Sequence, residues 1–492
     1  MTTQQPDNPH RRFMLKSSAM AVAFAASPAV NALQAMATKQ RSGAPVFSSL
    51  ADSPYGPVRP VRDTVTGLEL LQLPAGFNYA SFSWAGDTMS NGQSVPFAHD
   101  GMGVIAEQGD EIILVRNHEL GAGPLISAPG LYDEFTMTDG QRAAGGNTNI
   151  HFSRSERREV RTVPSLGGTL ANCAGGVTPW GTWLSCEETT NDSTAQGGRK
   201  HGYVFEVTAD PAQTTGEPIV AMGRYKHEAA AVDPVNSYVY LTEDNRNMSP
   251  IYRFIPNDAS QQAGALARGG RLQAAKVVGV ERAELLAPAL GDEVEIEWVD
   301  ITDPDMAPDG DRSGPYLQSR EAGALTISRG EGIRYSEGLF YLVDTSAGRN
   351  VAGLAGYGNG AVWLLDPAEN RLRCLFASTD AVMGNNPDNI TVSPRGGVVM
   401  CEDGGGVEDA FGFGERVMGL KMSGDTFVFA KNNIVLSEAN IASAGKQCEA
   451  GDYRDQEIAG ACFDAAGEFL FINIQTPGVT FAIWGPWDQG PL

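Results

Sequence analysis

A cysteine and seven carboxylates recur at matching places along this 492-residue chain, and together they could hold metal ions. Five segments share one design, a turn, then four to six mainly apolar or β-prone residues, then a carboxylate or amide: TPWGTWLSCEE, DPVNSYVYLTED, YSEGLFYLVD, SPRGGVVMCED and DAAGEFLFIN. They end on Glu187 with Glu188, Glu243 with Asp244, Asp344, Glu402 with Asp403, and Asn473. About 13 to 15 residues before each of the first four ends stands a second candidate: Cys173 in NCAGG, Glu228 in KHEAAA, Glu331 in SRGEGI and Asp388 in NPDNIT. In the fifth copy the equivalent place, near Gly460 or Ala461, carries no ligand. If the two positions are the start of one strand and the end of its antiparallel neighbour, both lie at the same edge of every repeat. So many like charges at one edge would repel, and bound cations relieve that repulsion. The alternative is that the acids cap turns and face water.

Carboxylate oxygen suits Ca²⁺ and Fe³⁺, whereas one thiolate among oxygens points to a transition metal rather than calcium alone. The expected metal set is Cys173, Glu188, Glu228, Glu243, Asp244, Glu331, Asp388 and Glu402. Zinc fits poorly, because the chain has no CxxC pair and no HExxH, and its six histidines are scattered. Arg329 stands two residues before Glu331, which in a strand puts both on one face. Its planar donor fork suits a phosphate oxygen; a salt bridge to Glu331 or another site acid is the competing role. Arg329 and Cys173 are the residues expected at the reacting centre. Cys186, Cys401 and Cys462 sit in or beside apolar runs and read as core, while Cys374 and Cys448 have no readable role. The early segments HDGMG (His99, Asp100) and RNHEL (Asn117, His118, Glu119) could orient a ligand or form a hydrogen-bonded turn. A GxSxG elbow and a P-loop are both missing, which disfavours serine hydrolysis and nucleotide-driven work.

These side chains need an array of short strands to present them. Beyond Val61 the chain is rich in glycine, 58 in all, and in short β-type runs bounded by turns, with few long amphipathic helical patterns. Steps between the acidic ends are about 56, 101, 58 and 71 residues, so a unit of roughly 50 to 60 fits if one weak copy lies in the second gap. Four short strands per unit, arranged radially, satisfy such a repeat, so residues 61–492 are expected to form an all-β propeller with the metal cluster at one mouth of its channel. The net charge of -23 disfavours nucleic acid and anionic membranes. At the other end His10-Arg11-Arg12-Phe13-Met14-Leu15-Lys16, an Ala-rich run from Ser17 to Val30 and the small-residue site Ala35-Met36-Ala37 read as a twin-arginine signal over residues 1–37. Residues 38–60 read as an extended lead-in, and no later segment is long and apolar enough to suggest stable membrane insertion.

The chain resembles the PhoX-type alkaline phosphatases, a bacterial family exported by the twin-arginine machinery. The resemblance spans the signal and most of the mature chain, in HDGM, RNHE, NCAGGVTPWGTWLSCEE, KHEAA, the acidic pair before Asn245-Arg246, SRGEG, PDN, and NIQTPG before GPW. It implies six blades, two ferric ions with calcium ions, and hydrolysis of small phosphomonoesters in the periplasm or outside the cell. It further implies Cys173 as an iron ligand, Glu188, Glu228, Glu331 and Asp388 as carboxylate ligands, and Arg329 near the phosphate. The rival readings are a calcium-dependent lactonase-like hydrolase, which has no need of Cys173, and a non-enzymatic propeller that binds partners by a broad face.

Overall fold

The computed structural model describes residues 48–137 and 139–492; the expected signal over residues 1–37 lies outside the described residues. The architecture is all-β and propeller-like. Its organising feature is a family of six strands: β1 (His99–Gln108), β2 (Asn172–Val177), β3 (His227–Val232), β4 (Gly330–Ser336), β5 (Pro387–Val392) and β6 (Ile458–Phe463). Each pairs antiparallel with the next strand in the chain, and each pair breaks register at the same place, between His99 and Met102, Asn172 and Gly175, His227 and Ala230, Gly330 and Ile333, Pro387 and Ile390, and Ala459 and Cys462. Such a bulge bends the strand and re-aims the side chains within it. The six strands contact one another in a closed circuit, from β1 through β2, β3, β4 and β5 to β6 and back to β1.

Small residues make that circuit possible. A Cβ on Gly101 would lie 2.5 Å from Ala174 Cα, and one on Gly332 would lie 2.7 Å from the Asp388 carbonyl oxygen. Only glycine lets the backbones meet this closely. The axis is therefore almost filled, leaving a cavity of ≈ 40 Å³ bordered by Gly101, Ala174, Gly332, Asn389 and Ala461.

The outward strands are apolar on both faces because neighbouring sheets cover them. One junction buries Leu71, Phe77, Trp84, Phe429, Phe481 and Trp487, and another buries Tyr240, Phe340 and Trp363. Each such aliphatic or aromatic side chain contributes roughly 1.5–3 kcal/mol. Tyr55 belongs to the first junction, where its hydroxyl accepts from the Leu492 amide at 2.7 Å. The segment just before residue 61 is thus packed into the body. The last sheet runs Asn78–Phe82, Val479–Trp484, Leu470–Ile474, β6, so an early strand completes a late set.

The interval between Asp244 and Asp344 holds no weak repeat. It is filled by outer strands and helix α1 (Gly314–Glu321), whose N-terminus is capped by Ser313, and by strand Glu293–Ile301, which pairs with both Gly270–Val277 and Arg371–Ala377. The additional member of the circuit comes instead from upstream, where β1 pairs with Glu111–His118. Among the described residues no helix is long and apolar enough to cross a membrane.

Candidate metal centre

The second residue of β1 to β5 is, in order, Asp100, Cys173, Glu228, Glu331 and Asp388. The repeated bulge starts at these positions, so one local geometry delivers all five to one end of the circuit. The ligand atoms of Cys173, Glu188 and Glu228 lie within 4.8 Å of one another, as do those of Glu228, Glu331 and Asp388. Glu228 belongs to both triads, so the two positions adjoin.

Burial and mutual repulsion dominate the electrostatics. Burial, then the charges of neighbouring carboxylates, pushes Asp100, Glu188, Glu228 and Glu331 well above the usual carboxylate range. The same causes raise Glu119 and Asp388 to about 7. The Cys173 thiol is likewise pushed up by burial and then by Glu228, and it donates to the His227 carbonyl oxygen at 3.2 Å. Oε1 of Glu331 is buried and accepts no hydrogen bond, although Nη2 of Arg329 lies 3.0 Å away. Closely set carboxylates, an unsatisfied buried oxygen and a thiol at the edge are a donor set that fits cations. The thiol-bearing triad suits a transition metal, and the all-carboxylate triad suits a hard cation.

Arg329 meets these acids at the rim. Its Nε and Nη2 reach Oδ1 and Oδ2 of Asp244 at 2.7 and 2.5 Å, a two-pronged pairing that fixes the guanidinium plane. About a quarter of the side chain, 27 %, remains exposed. The sequence offered phosphate binding and a salt bridge as alternatives for Arg329, and the salt bridge is present. Asn117 of the RNH segment positions the cysteine, because its side-chain amide donates to the carbonyl oxygens of Cys173 and Ala174 at 3.1 and 2.7 Å.

The alkaline phosphatase PhoX family matches residues 53–478. The chain belongs to the PhoX alkaline phosphatase family. It is accordingly a phosphatase by class. No curated protein matches it. Among solved structures, Pseudomonas fluorescens PhoX in complex with vanadate, a transition state analogue, matches with a TM-score of 0.60 at 17% identity, covering 88% of this chain and 99% of that one. At that identity the likeness shows the fold. A Xanthomonas campestris gluconolactonase (TM-score 0.37, 12% identity, 90% of this chain and 98% of that one) and a luciferin-regenerating enzyme (0.38, 9%, 84% and 96%) are too distant to carry an argument.

Three acids expected among the ligands of this PhoX family member are not brought to either triad: Glu402, Glu243 and Asp244, the last of which is taken up by its two-pronged pairing with Arg329. Glu402 is spent on a buried ion pair: Oε2 accepts from Nε of Arg416 at 2.7 Å, and Oε1 accepts from Nη2 at 2.8 Å and from the Asn385 amide at 2.7 Å. Glu243 lies on the other side of its strand from Asp244 and accepts from the Tyr252 hydroxyl at 2.7 Å, with burial raising it to about 8. Alternation explains the first two cases. At the three strand ends that carry two acids, Glu187-Glu188, Glu243-Asp244 and Glu402-Asp403, the first turns into the sheet and the next turns toward the mouth. Asp403, rather than Glu402, therefore faces the centre, where its charge acts on Asp388 and Glu119.

The sequence reading missed Glu457 altogether. Burial, then Asp100 and Asp388, raises it well above the carboxylate range, and Nε2 of Gln475 bridges it to Glu119 at 2.8 and 2.9 Å. Its signal was an offset of two. Ala459 holds the ligand place on β6, and two residues earlier on the same face stands a carboxylate. The core reading of Cys186, Cys401 and Cys462 holds, since all three are buried thiols.

Proposed function

We propose that this chain is an exported phosphomonoesterase that seats the phosphoryl group between Arg329 and an iron and calcium centre, at one mouth of a six-bladed propeller. The closed circuit of β1 to β6, each with its own outward strands, supports six blades. The observation that carries the functional reading is the shared position of Glu228 between a thiol-bearing triad and an all-carboxylate triad, with the Arg329 guanidinium 3.0 Å from one of their members. On this reading Cys173, Glu188 and Glu228 hold iron, and Glu228, Glu331 and Asp388 hold the neighbouring cation. Bound there, the ions supply Lewis acidity and neutralise charge on phosphate oxygens. Asp244 holds the Arg329 fork in one plane, which leaves the exposed part of the guanidinium to meet an equatorial phosphoryl oxygen without prior reorganisation. The vanadate held by the Pseudomonas fluorescens protein is in keeping with phosphoryl transfer on this fold. The twin-arginine pattern at His10–Lys16 supports export in the folded state to the periplasm or beyond.

Hydrolysis of a simple aryl phosphate, measured together with metal content, tests the reading. Protein from its own host should carry both iron and calcium, and chelation should abolish turnover that added calcium restores. Arg329→Ala should lower kcat/KM by roughly 10² to 10³ and weaken inhibition by inorganic phosphate while metals stay bound. Turnover that survives exhaustive chelation defeats the metal centre, and unchanged phosphate inhibition in Arg329→Ala defeats the role of that residue.

A further inference from the structure

Just outside Arg329 the chain exposes apolar side chains on a loop held in one shape. The loop of residues 345–360 leaves the end of Leu339–Asp344 and returns at Ala361, which pairs with Asp344, so both of its ends stand at the metal-centre end of the sheet. Val351 at its tip is fully exposed, Leu354 is 56% exposed and Tyr357 45%. The loop is tied down, because Nη1 of Arg349 donates to the Gly353 carbonyl at 2.8 Å and the Gly356 amide donates to the carbonyls of Gly348 and Leu286 at 2.9 and 3.1 Å.

A second loop locks onto it. Arg246 stands two residues after Asp244, the partner of Arg329; its Nη1 donates to the Gly356 carbonyl at 3.0 Å, and its guanidinium carbon lies 4.8 Å from the centroid of the Tyr357 ring. The Asn247 amide donates to the Ser328 carbonyl at 2.6 Å and the Thr345 amide to the Arg329 carbonyl at 3.1 Å. Both loops are thus fastened to the peptide groups on either side of Arg329. A cation against one face of an aromatic ring fixes the ring and leaves its other surface for a flat partner. Val351, Leu354 and Tyr357 thus put exposed apolar surface on the loop that starts beside Arg329.

We propose that Tyr357, backed by Arg246 and extended by Leu354 and Val351, seats the organic part of the substrate and selects phosphate monoesters of flat aromatic alcohols over those of small aliphatic ones. The inference rests on the phosphatase reading, in which Arg329 holds the phosphoryl group, and adds to it that the ester oxygen points out of the mouth toward this loop. Arg246 is the positioning residue and Tyr357 the contact.

Steady-state kinetics on 2-naphthyl phosphate and glycerol 2-phosphate, with wild type, Tyr357→Ala and Tyr357→Phe, decide the matter. Tyr357→Ala should lower the ratio of kcat/KM values, aromatic over aliphatic, by about tenfold, the size expected for loss of one stacking contact, and chiefly through KM. Tyr357→Phe should keep the ratio. Inhibition by benzylphosphonate should weaken in Tyr357→Ala by the same factor relative to methylphosphonate. An unchanged ratio in Tyr357→Ala, or equal weakening of both phosphonates, overturns the leaving-group seat while leaving the phosphatase reading intact. Hydrolysis of neither ester by the metal-loaded wild type overturns the phosphatase reading itself.

Discussion

Glu402 and Asp403 are adjacent in the chain, and their carboxyl groups end in opposite surroundings. Glu402 is buried with three protein donors, two of them from Arg416, whereas Asp403 sits at the mouth among other acids. The contrast repeats around the circuit. Glu187 accepts from His201 and from the amides of Leu170, Gly202 and Tyr203, and Asp344 accepts from the amides of Ser328 and Arg329 and from Trp363. Their inner counterparts Glu228 and Glu331 face mainly other carboxylates. One ring of acids therefore latches each strand pair to its own blade, and the other ring is left electrostatically unsatisfied for a cation to complete. A carboxylate is assigned to structure or to function here by which protein donors it meets rather than by its burial.

The sharpest way to break this division is Glu228→Gln, which removes the acid shared by both triads. Activity should fall by about 10³ or more with loss of bound metal, while the metal-free protein should melt no lower than wild type, because one member of a repelling set is gone. A large drop in Tm without metal would place Glu228 in the latch ring. Next comes Glu402→Ala, which takes the two-pronged carboxylate partner from the buried Arg416 guanidinium, leaving it the Ala381 and Val382 carbonyls and Asp409 at 3.5 Å, and should cost about 3 kcal/mol of stability, read from denaturant unfolding. Unaltered stability would dissolve the distinction from the other side.

The pH dependence of the metal-free protein gives a smaller and continuous signal. Glu119 and Asp388 are raised to about 7, and Glu243 and Glu415 to about 8, so between ordinary carboxylate values and pH 8 the folded state holds more protons than the unfolded one. Stability contributed by these groups is present below about pH 4.5 and is lost as pH rises through about 7 to 8. Melting of chelated protein should therefore drop over that interval, and calcium should flatten the curve by taking the place of protons. A curve that rises over the same interval contradicts the repulsion argument. The smallest effect expected is that of Asp403→Asn, where Tm should hold within about 0.5 kcal/mol equivalent while activity declines; a loss of stability rivalling Glu402→Ala would mean the two neighbours share one role.

The all-β fold, the phase of Cys173, Glu228, Glu331 and Asp388, and the pairing of Arg329 with site acids were legible because each is a matter of spacing. What escaped depended on which face a side chain takes. Glu402 and Asp403 look alike in a string of letters, and choosing between them requires knowing that His118, Glu187, Glu243, Asp344 and Glu402 close strands inward. Glu457 escaped because β6 shifts its acid two residues upstream. The repeat expected between Asp244 and Asp344 was an error of length, since strand Glu293–Ile301 and the long loops around α1 lengthen that interval without adding to the circuit.

The last sheet has a consequence for how the molecule assembles. Asn78 pairs with Trp484 and Phe82 with Thr480, so the strand that completes the last sheet finds its neighbour roughly 400 residues away. Contacts this distant in sequence are slow to form, because most of the chain must be ordered before they are rewarded. Until then Val479–Trp484 presents an open edge, and the sheet that carries β6 between Asp388 on β5 and Asp100 on β1 is incomplete. Completion of that sheet and of the acidic mouth are on this account one event, and a cation present at that moment would act as a clasp on the fold as much as a participant in its chemistry.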